Sequence, residues 1–131
     1  MIFPSRDRLE SGIRRAAATA HLDGGLCIRL CDALGDLPSD GRVGVFRVPP
    51  RAAAEYGYDP GWWGGSVLAG VKYLEALAGR YNRLDRAVAA YLCGEERFNR
   101  MIRAVQGDWR CALPPDVQAA LNKILEERGE S

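Results

Sequence analysis

A mainly α-helical domain, with at most a small β element near residues 43–48, follows from two features of the 131-residue sequence. Apolar residues recur every three or four positions through most of the chain, the period of a helix with one buried face. The stretches that carry this period are separated by glycine, proline, aspartate and serine at the places where helices start and stop. No internal repeat, low-complexity run or interdomain linker interrupts them, and the length fits one domain, residues 1–131.

Taken in order, Ser5 is placed to cap a helix from Arg6 to about His21, with Leu9, Ile13, Ala16, Ala17 and Ala20 on one face. Leu22-Asp23-Gly24-Gly25 breaks it, and Asp23 caps the next helix, Leu26 to Leu34, whose apolar side is Leu26, Cys27, Leu30, Cys31 and Leu34. Gly35 to Gly41 is rich in turn residues. Val43, Val45, Phe46 and Val48 are β-branched or aromatic enough for a strand or a hairpin fragment.

Pro49-Pro50 opens a short helix at Arg51, which Gly57-Tyr58-Asp59-Pro60-Gly61 ends. Ser66 is expected to cap a helix reaching about Arg80, with Val67, Val71, Leu74 and Leu77/Ala78 as its buried stripe. Asn82 is expected to cap another, Arg83 to Leu92, ended by Gly94. Glu95 to Val105 follows, with Phe98, Met101/Ile102 and Val105 in register and Gly107 as the breaker. Pro114-Pro115 opens a last helix with Val117, Leu121, Ile124 and Leu125 apolar, trailing into Glu126-Glu127-Arg128.

Composition narrows the function classes. Hydrophobic content of 47% and charged content of 27% are ordinary for a globular domain. A net charge of +1 gives no bulk attraction to nucleic acid or to acidic membranes. Lys72 and Lys123 are the only lysines, so the bases are almost all arginine; genomic base composition accounts for this, and arginine also suits planar, bidentate pairing at interfaces. The first residues contain no apolar core of signal-peptide length, and no run of about 18 apolar residues exists anywhere. Synthesis in a cytoplasm and no membrane insertion are therefore expected.

The sequence contains no Walker loop, no dinucleotide glycine motif and no His-Glu-x-x-His, so no cofactor and no metal are expected. Of Cys27, Cys31, Cys93 and Cys111, only the first two are close in sequence, short of the paired spacing of a structural zinc site. Buried free thiols are the expectation, with a disulfide as the alternative.

Four segments in order resemble the soluble lytic transglycosylase family, which has a lysozyme-like fold. Gly44-Val45-Phe46-Arg47 is similar to the family's Gly-Leu-Met-Gln strand, and Arg51-Ala52-Ala53-Ala54-Glu55-Tyr56-Gly57 to the helix after it. Ser66-Val67-Leu68-Ala69-Gly70-Val71-Lys72-Tyr73-Leu74 is similar to the segment ending Ala-Gly-x-x-Tyr-Leu, and Ala89-Ala90-Tyr91-Leu92-Cys93-Gly94 to Ala-Ala-Tyr-Asn-Ala-Gly. His21-Leu22-Asp23-Gly24-Gly25-Leu26 resembles the opening of the helix that carries the catalytic acid. The likeness spans about residues 20–105. It implies a lysozyme-like helical domain and a chemistry of peptidoglycan cleavage.

The departures fall on the polar positions. Counting forward from Asp23 places the acid at Leu34, and counting back from Gly44 places it at Arg29. The family's glutamine is Arg47, and its Tyr-Asn is Tyr91-Leu92. A Glu-Ser pair exists at Glu10-Ser11, but it lies 34 residues before Gly44, on the preceding helix, and reads as coincidence. Breaking a glycosidic bond needs a carboxylic acid of raised pKa to protonate a poor leaving oxygen. Leucine and arginine cannot supply that proton, and no catalytic residue is expected. Asp32, Asp36 and then Glu95 are the fallback acids of an active enzyme; the ordinary reading makes them solvated helix-end carboxylates, as with Glu96.

Trp62 and Trp63 can stack on sugars or anchor a core or an interface. Arg97, Arg100 and Arg103 recur every three residues, and with Arg83 and Arg86 can form a basic patch; a solvated or partner-pairing face is the ordinary reading. His21 has no nucleophile partner and reads as a helix-end residue. The leading expectation is a non-catalytic pseudoenzyme of this fold, docked to other proteins of a bacteriophage tail or phage-like particle as a structural component of the virion. The alternatives are an active enzyme using a displaced carboxylate and an inactive module that binds peptidoglycan chains.

Overall fold

The computed structural model describes residues 4–37, 42, 44–59 and 62–129, with side chains through residue 125. The fold is mainly α, as the periodicity predicts, with seven α-helices among the described residues: α1 (Arg6–Thr19), α2 (Gly24–Gly35), α3 (Pro50–Tyr56), α4 (Trp63–Tyr81), α5 (Leu84–Cys93), α6 (Glu95–Ala104) and α7 (Pro115–Gly129). A short 3-10 helix, Trp109–Ala112, which the sequence reading does not foresee, lies between α6 and α7. The chain forms two compact units, Met1–Glu75 and Ala76–Ser131, with the division inside α4.

In the first unit α1 packs on α2. The Ser5 hydroxyl accepts from the Arg8 N–H at 3.2 Å and Asp23 accepts from the Leu26 N–H at 3.0 Å, so both expected caps form. Ile13, Ala16, Ala17 and Ala20 of the first segment are buried, as are Leu26, Cys27, Leu30, Cys31 and Leu34 of the second. Helix α2 starts two residues earlier than expected, because a cap at Asp23 takes Gly24 and Gly25 into the first turn.

The β expectation is corrected. Residues 44–47 form a turn in which the Arg47 N–H donates to the Gly44 carbonyl at 3.1 Å, Val48 makes only an isolated bridge, and no strand is present among the described residues. Tertiary burial overrides β propensity here: Phe46 and Val48 are fully buried, and a curled backbone, with Gly44 at φ 79° and Arg47 at φ 46°, drives Phe46 inward. Val43 lies outside the described residues, as do Pro38 to Gly41, Pro60 and Gly61 of the expected loops.

Ser66 is not a cap. Helix α4 begins at Trp63, and Ser66 is fully buried inside it, its hydroxyl accepting from the Phe46 N–H at 3.1 Å. The expected stripe Val67, Val71, Leu74 and Leu77 is buried. Phe46 lies against Gly70, where an added Cβ would stand 2.5 Å from the Phe46 Cβ. The ring of Trp63 rests on Gly12 of α1, where a Cβ would be 3.1 Å away.

In the second unit α5 packs against α6 and α7. Asn82 does not cap α5; it follows α4 in the left-handed region at φ 59°, a conformation asparagine tolerates better than most residues. Arg83 occupies the cap position without a side-chain bond. Every residue from Ala87 to Leu92 is buried, so α5 is the central helix of this unit. Phe98 is sealed edge-on between Tyr81 and Trp109, with ring centroids at 5.3 and 5.5 Å. The 3-10 helix exists to place Trp109 there, with Asp108 accepting from the Arg110 N–H to start it.

Candidate functional site

The positions that the resemblance sets against the transglycosylase chemistry divide between the two units. In the first, α2 turns Leu34 inward and Asp32 outward. Leu34 is fully buried and offers only its carbonyl, which accepts from Arg47 Nε at 3.4 Å. Leu34 and Arg47, the residues expected from the resemblance at the acid and glutamine positions, thus meet as an apolar side chain and a guanidinium. Arg29, the other candidate for the acid position, is half-buried, its guanidinium lying over Gly25.

The fallback carboxylates are no better placed. Both oxygens of Asp32 accept from Arg6 on α1, at 2.7 and 2.8 Å, and its side chain is 49% exposed. Hydrogen bonds from Arg6 to Asp32 and then to Glu10 hold the guanidinium firmly protonated. Asp36 is exposed at the end of α2, where its backbone N–H donates to Ala33 and Leu34. Both are exposed to solvent, whereas a glycosidase general acid sits in a partly apolar cleft.

Trp62 is 56% exposed, the one large hydrophobic side chain so exposed among the described residues. Its ring folds back over Gly64 and stands tilted against Trp63 at 6.3 Å. Trp63 is half-buried, with the Arg8 guanidinium 5.9 Å from its ring centre. The pair therefore splits its roles: Trp63 anchors α4 to α1, and Trp62 faces solvent.

In the second unit Tyr91 and Leu92 are buried within α5. Glu95 opens α6 and forms an ion pair with Arg80 at the end of α4. Glu96, Arg97, Arg100 and Arg103 are exposed along α6. Glu96, Asn99, Arg100 and Arg103, at helical offsets 0, 3, 4 and 7, line an open cleft of about 410 Å³. Asn99 is fixed there by the Tyr81 hydroxyl, which donates to its Oδ1 at 2.5 Å. Burial raises the Tyr81 pKa against the opposing effects of Arg80 and Asn99.

Arg83 and Arg86 do not join this patch. Arg83 donates to both oxygens of Asp85, at 3.1 and 2.7 Å, and Arg110 approaches the same carboxylate at 3.3 Å. Desolvation pushes the Asp85 pKa up, but Arg83, the Arg86 N–H and Arg110 outweigh it and hold the group below its ordinary value. Arg86 and Arg110 lie 5.9 and 5.7 Å from the Trp109 ring centre. The Asp85 cluster and Asn99 escaped the sequence reading. The offsets of 96, 99, 100 and 103 were the signal available for Asn99; the cluster depends on the unforeseen 3-10 helix.

All four cysteines are free thiols. Burial pushes Cys27 and Cys31 up to about 12 and about 11, so both behave as small apolar core residues. Cys111 is exposed, its thiol donating to Asp108 at 3.4 Å. Among the described residues no group of three or more His, Cys, Asp or Glu is placed to hold a metal ion. No helix among them is long and apolar enough to cross a membrane. His21 sits just past α1 at φ 59°, with its N–H donating to the Ala18 carbonyl at 3.2 Å.

Comparison of the chain with known protein families, with characterised proteins and with solved structures finds no match.

Proposed function

We propose that the chain is a non-catalytic, lytic-transglycosylase-like module that works by docking to other proteins of an assembly. The assembly implied by the resemblance is a bacteriophage virion or a phage-like particle. The observation that carries the non-catalytic reading is the state of the carboxylates. No aspartate or glutamate among the described residues is fully buried, and Asp85, on which desolvation is the largest single influence, is held charged by Arg83, the Arg86 N–H and Arg110, the opposite of what proton donation to a glycosidic oxygen requires. Asp32 and Glu95 are held in ion pairs, Asp36 is solvated, and Leu34 is apolar.

The test is digestion of purified sacculi by wild type and by Asp32→Asn, Asp36→Asn and Glu95→Gln. No soluble fragments from any of the four proteins is the expected result. Cleavage by wild type that disappears in one variant identifies a displaced acid and overturns the reading. A second reading, an inactive glycan-binding module, is supported by the solvent-facing ring of Trp62. Retention on sacculi that is lost in Trp62→Ala would select it over protein docking.

A further inference from the structure

We propose that the α6 face bearing Arg97, Arg100 and Arg103 is the docking surface for an acidic helix of a partner protein. The proposal rests on the docking reading above and names the chemistry of the partner. The three guanidinium groups are exposed and take part in no ion pair or hydrogen bond among the described residues, whereas Arg6, Arg80, Arg83 and Arg110 each hold a carboxylate. Glu95, the carboxylate at the start of the same helix, is engaged by Arg80, which leaves Glu96 as the acid facing these three cations on α6. Like charges three residues apart on a helix repel one another, and bound carboxylates relieve that repulsion.

Geometry selects the occupant. Residues three apart rise about 4.5 Å along a helix, so the three arginines form a ladder about 9 Å long. A partner helix with glutamates spaced three and four apart presents carboxylates at nearly the same interval. Arg100 and Arg103 enter the cleft beside Asn99, whose Oδ1 already accepts from Tyr81 and whose amide N–H groups remain available to donate. Arginine pairs carboxylates bidentately, which gives register as well as attraction. Glu96 lies in the same cleft and would repel a continuous phosphate backbone, while it can pair with a basic residue flanking the acidic run of a protein. The net charge of +1 likewise gives no field for a nucleic acid.

The experiment measures fluorescence anisotropy of a labelled alanine-based helical peptide, with glutamates spaced three and four apart, titrated with the full chain at low salt. The counterpart peptide with glutamine at every glutamate position should bind at least about tenfold more weakly, since charge-assisted bonds are lost. Arg100→Gln/Arg103→Gln should weaken the glutamate peptide by about tenfold or more, while Arg14→Gln/Arg15→Gln, an equal charge loss on the exposed face of α1, should change it by less than about twofold. Circular dichroism of each variant establishes that it is folded. Equal binding of the two peptides, equal losses in the two double variants, or tighter binding of a single-stranded oligonucleotide than of the glutamate peptide would overturn the proposal. A negative result here, with sacculi left uncleaved, removes this surface and leaves the non-catalytic reading standing. Sacculus cleavage with peptide binding intact does the reverse.

Discussion

Gly70→Ala and Gly79→Ala make the same change in the same helix and should shift stability in opposite directions. Within a helix, replacing glycine by alanine gains about 0.5–1 kcal/mol through backbone entropy and propensity. At Gly79 nothing lies within 4 Å of the new methyl group and the residue is exposed, so the full gain is expected. At Gly70 the methyl would stand 2.5, 2.6 and 2.8 Å from Cβ, Cγ and Cδ1 of Phe46. Ordinary carbon contacts are about 3.5–4.0 Å, so the shortfall is about 1 Å at three atoms. A rotamer change cannot relieve it, because the nearest atom is the Phe46 Cβ. The backbone there is held by the turn at residues 44–47 and by the bond from the Phe46 N–H to Ser66 on the same helix. Overpacking of this kind costs about 1–3 kcal/mol, and the tethered geometry places Gly70→Ala at the upper end. Subtracting the propensity gain leaves a net loss of about 2 kcal/mol. Urea unfolding followed by circular dichroism reads both variants. With a slope of about 2 kcal/mol/M, Gly70→Ala should lower the midpoint by about 1 M and Gly79→Ala should raise it by up to about 0.5 M. A Gly70→Ala protein as stable as wild type, or equal losses at the two sites, would refute the packing account of the 44–47 turn.

Four further outcomes follow from other contacts in the structure. Ser66→Ala removes a buried acceptor for the Phe46 N–H and should cost about 1–3 kcal/mol in the same urea experiment. Asp85 has a depressed pKa in the folded state, so its contribution is present above the unfolded carboxylate value, about 3.9, and is lost as pH falls through the folded value. Asp85→Asn should therefore flatten the loss of stability on going from neutral pH to about pH 3. Thiol labelling of the native protein at pH 8 should reach exposed Cys111 and leave Cys27 and Cys31 until the chain unfolds. Asp108→Asn should speed labelling of Cys111, because the hydrogen bond to Asp108 and then its charge raise the thiol pKa. Labelling of Cys111 at an unchanged rate would contradict that cause.

The helices were legible in the sequence because each carries its own period and its own stops. Ser5 and Asp23 cap where their spacing to the next apolar residue says they should, and the buried stripes of α1, α2 and α4 are those read from the sequence, except that Leu9 and Ala78 are only half-buried. What the sequence hid was decided by contacts distant along the chain. Val45, Phe46 and Val48 look like a strand, but burial of Phe46 against Gly70 curls them into a turn. Ser66 has the composition of a cap, yet it serves a backbone N–H twenty residues away. Asn82 likewise resembles a cap but uses its tolerance of the left-handed region to end α4. Of the site, the arginine ladder was visible from its spacing. Asn99 acquires its place only through Tyr81, and the Asp85 cluster only through Arg110 on an unforeseen 3-10 turn.

Incubation of purified sacculi with the wild-type chain in molar excess over glycan strands, followed by mass spectrometry of the soluble fraction, tests the central claim most directly, because even a single turnover per molecule would register. The account predicts a fraction indistinguishable from the buffer blank. Muropeptides released by the wild type and absent with Asp32→Asn, Asp36→Asn or Glu95→Gln would contradict it.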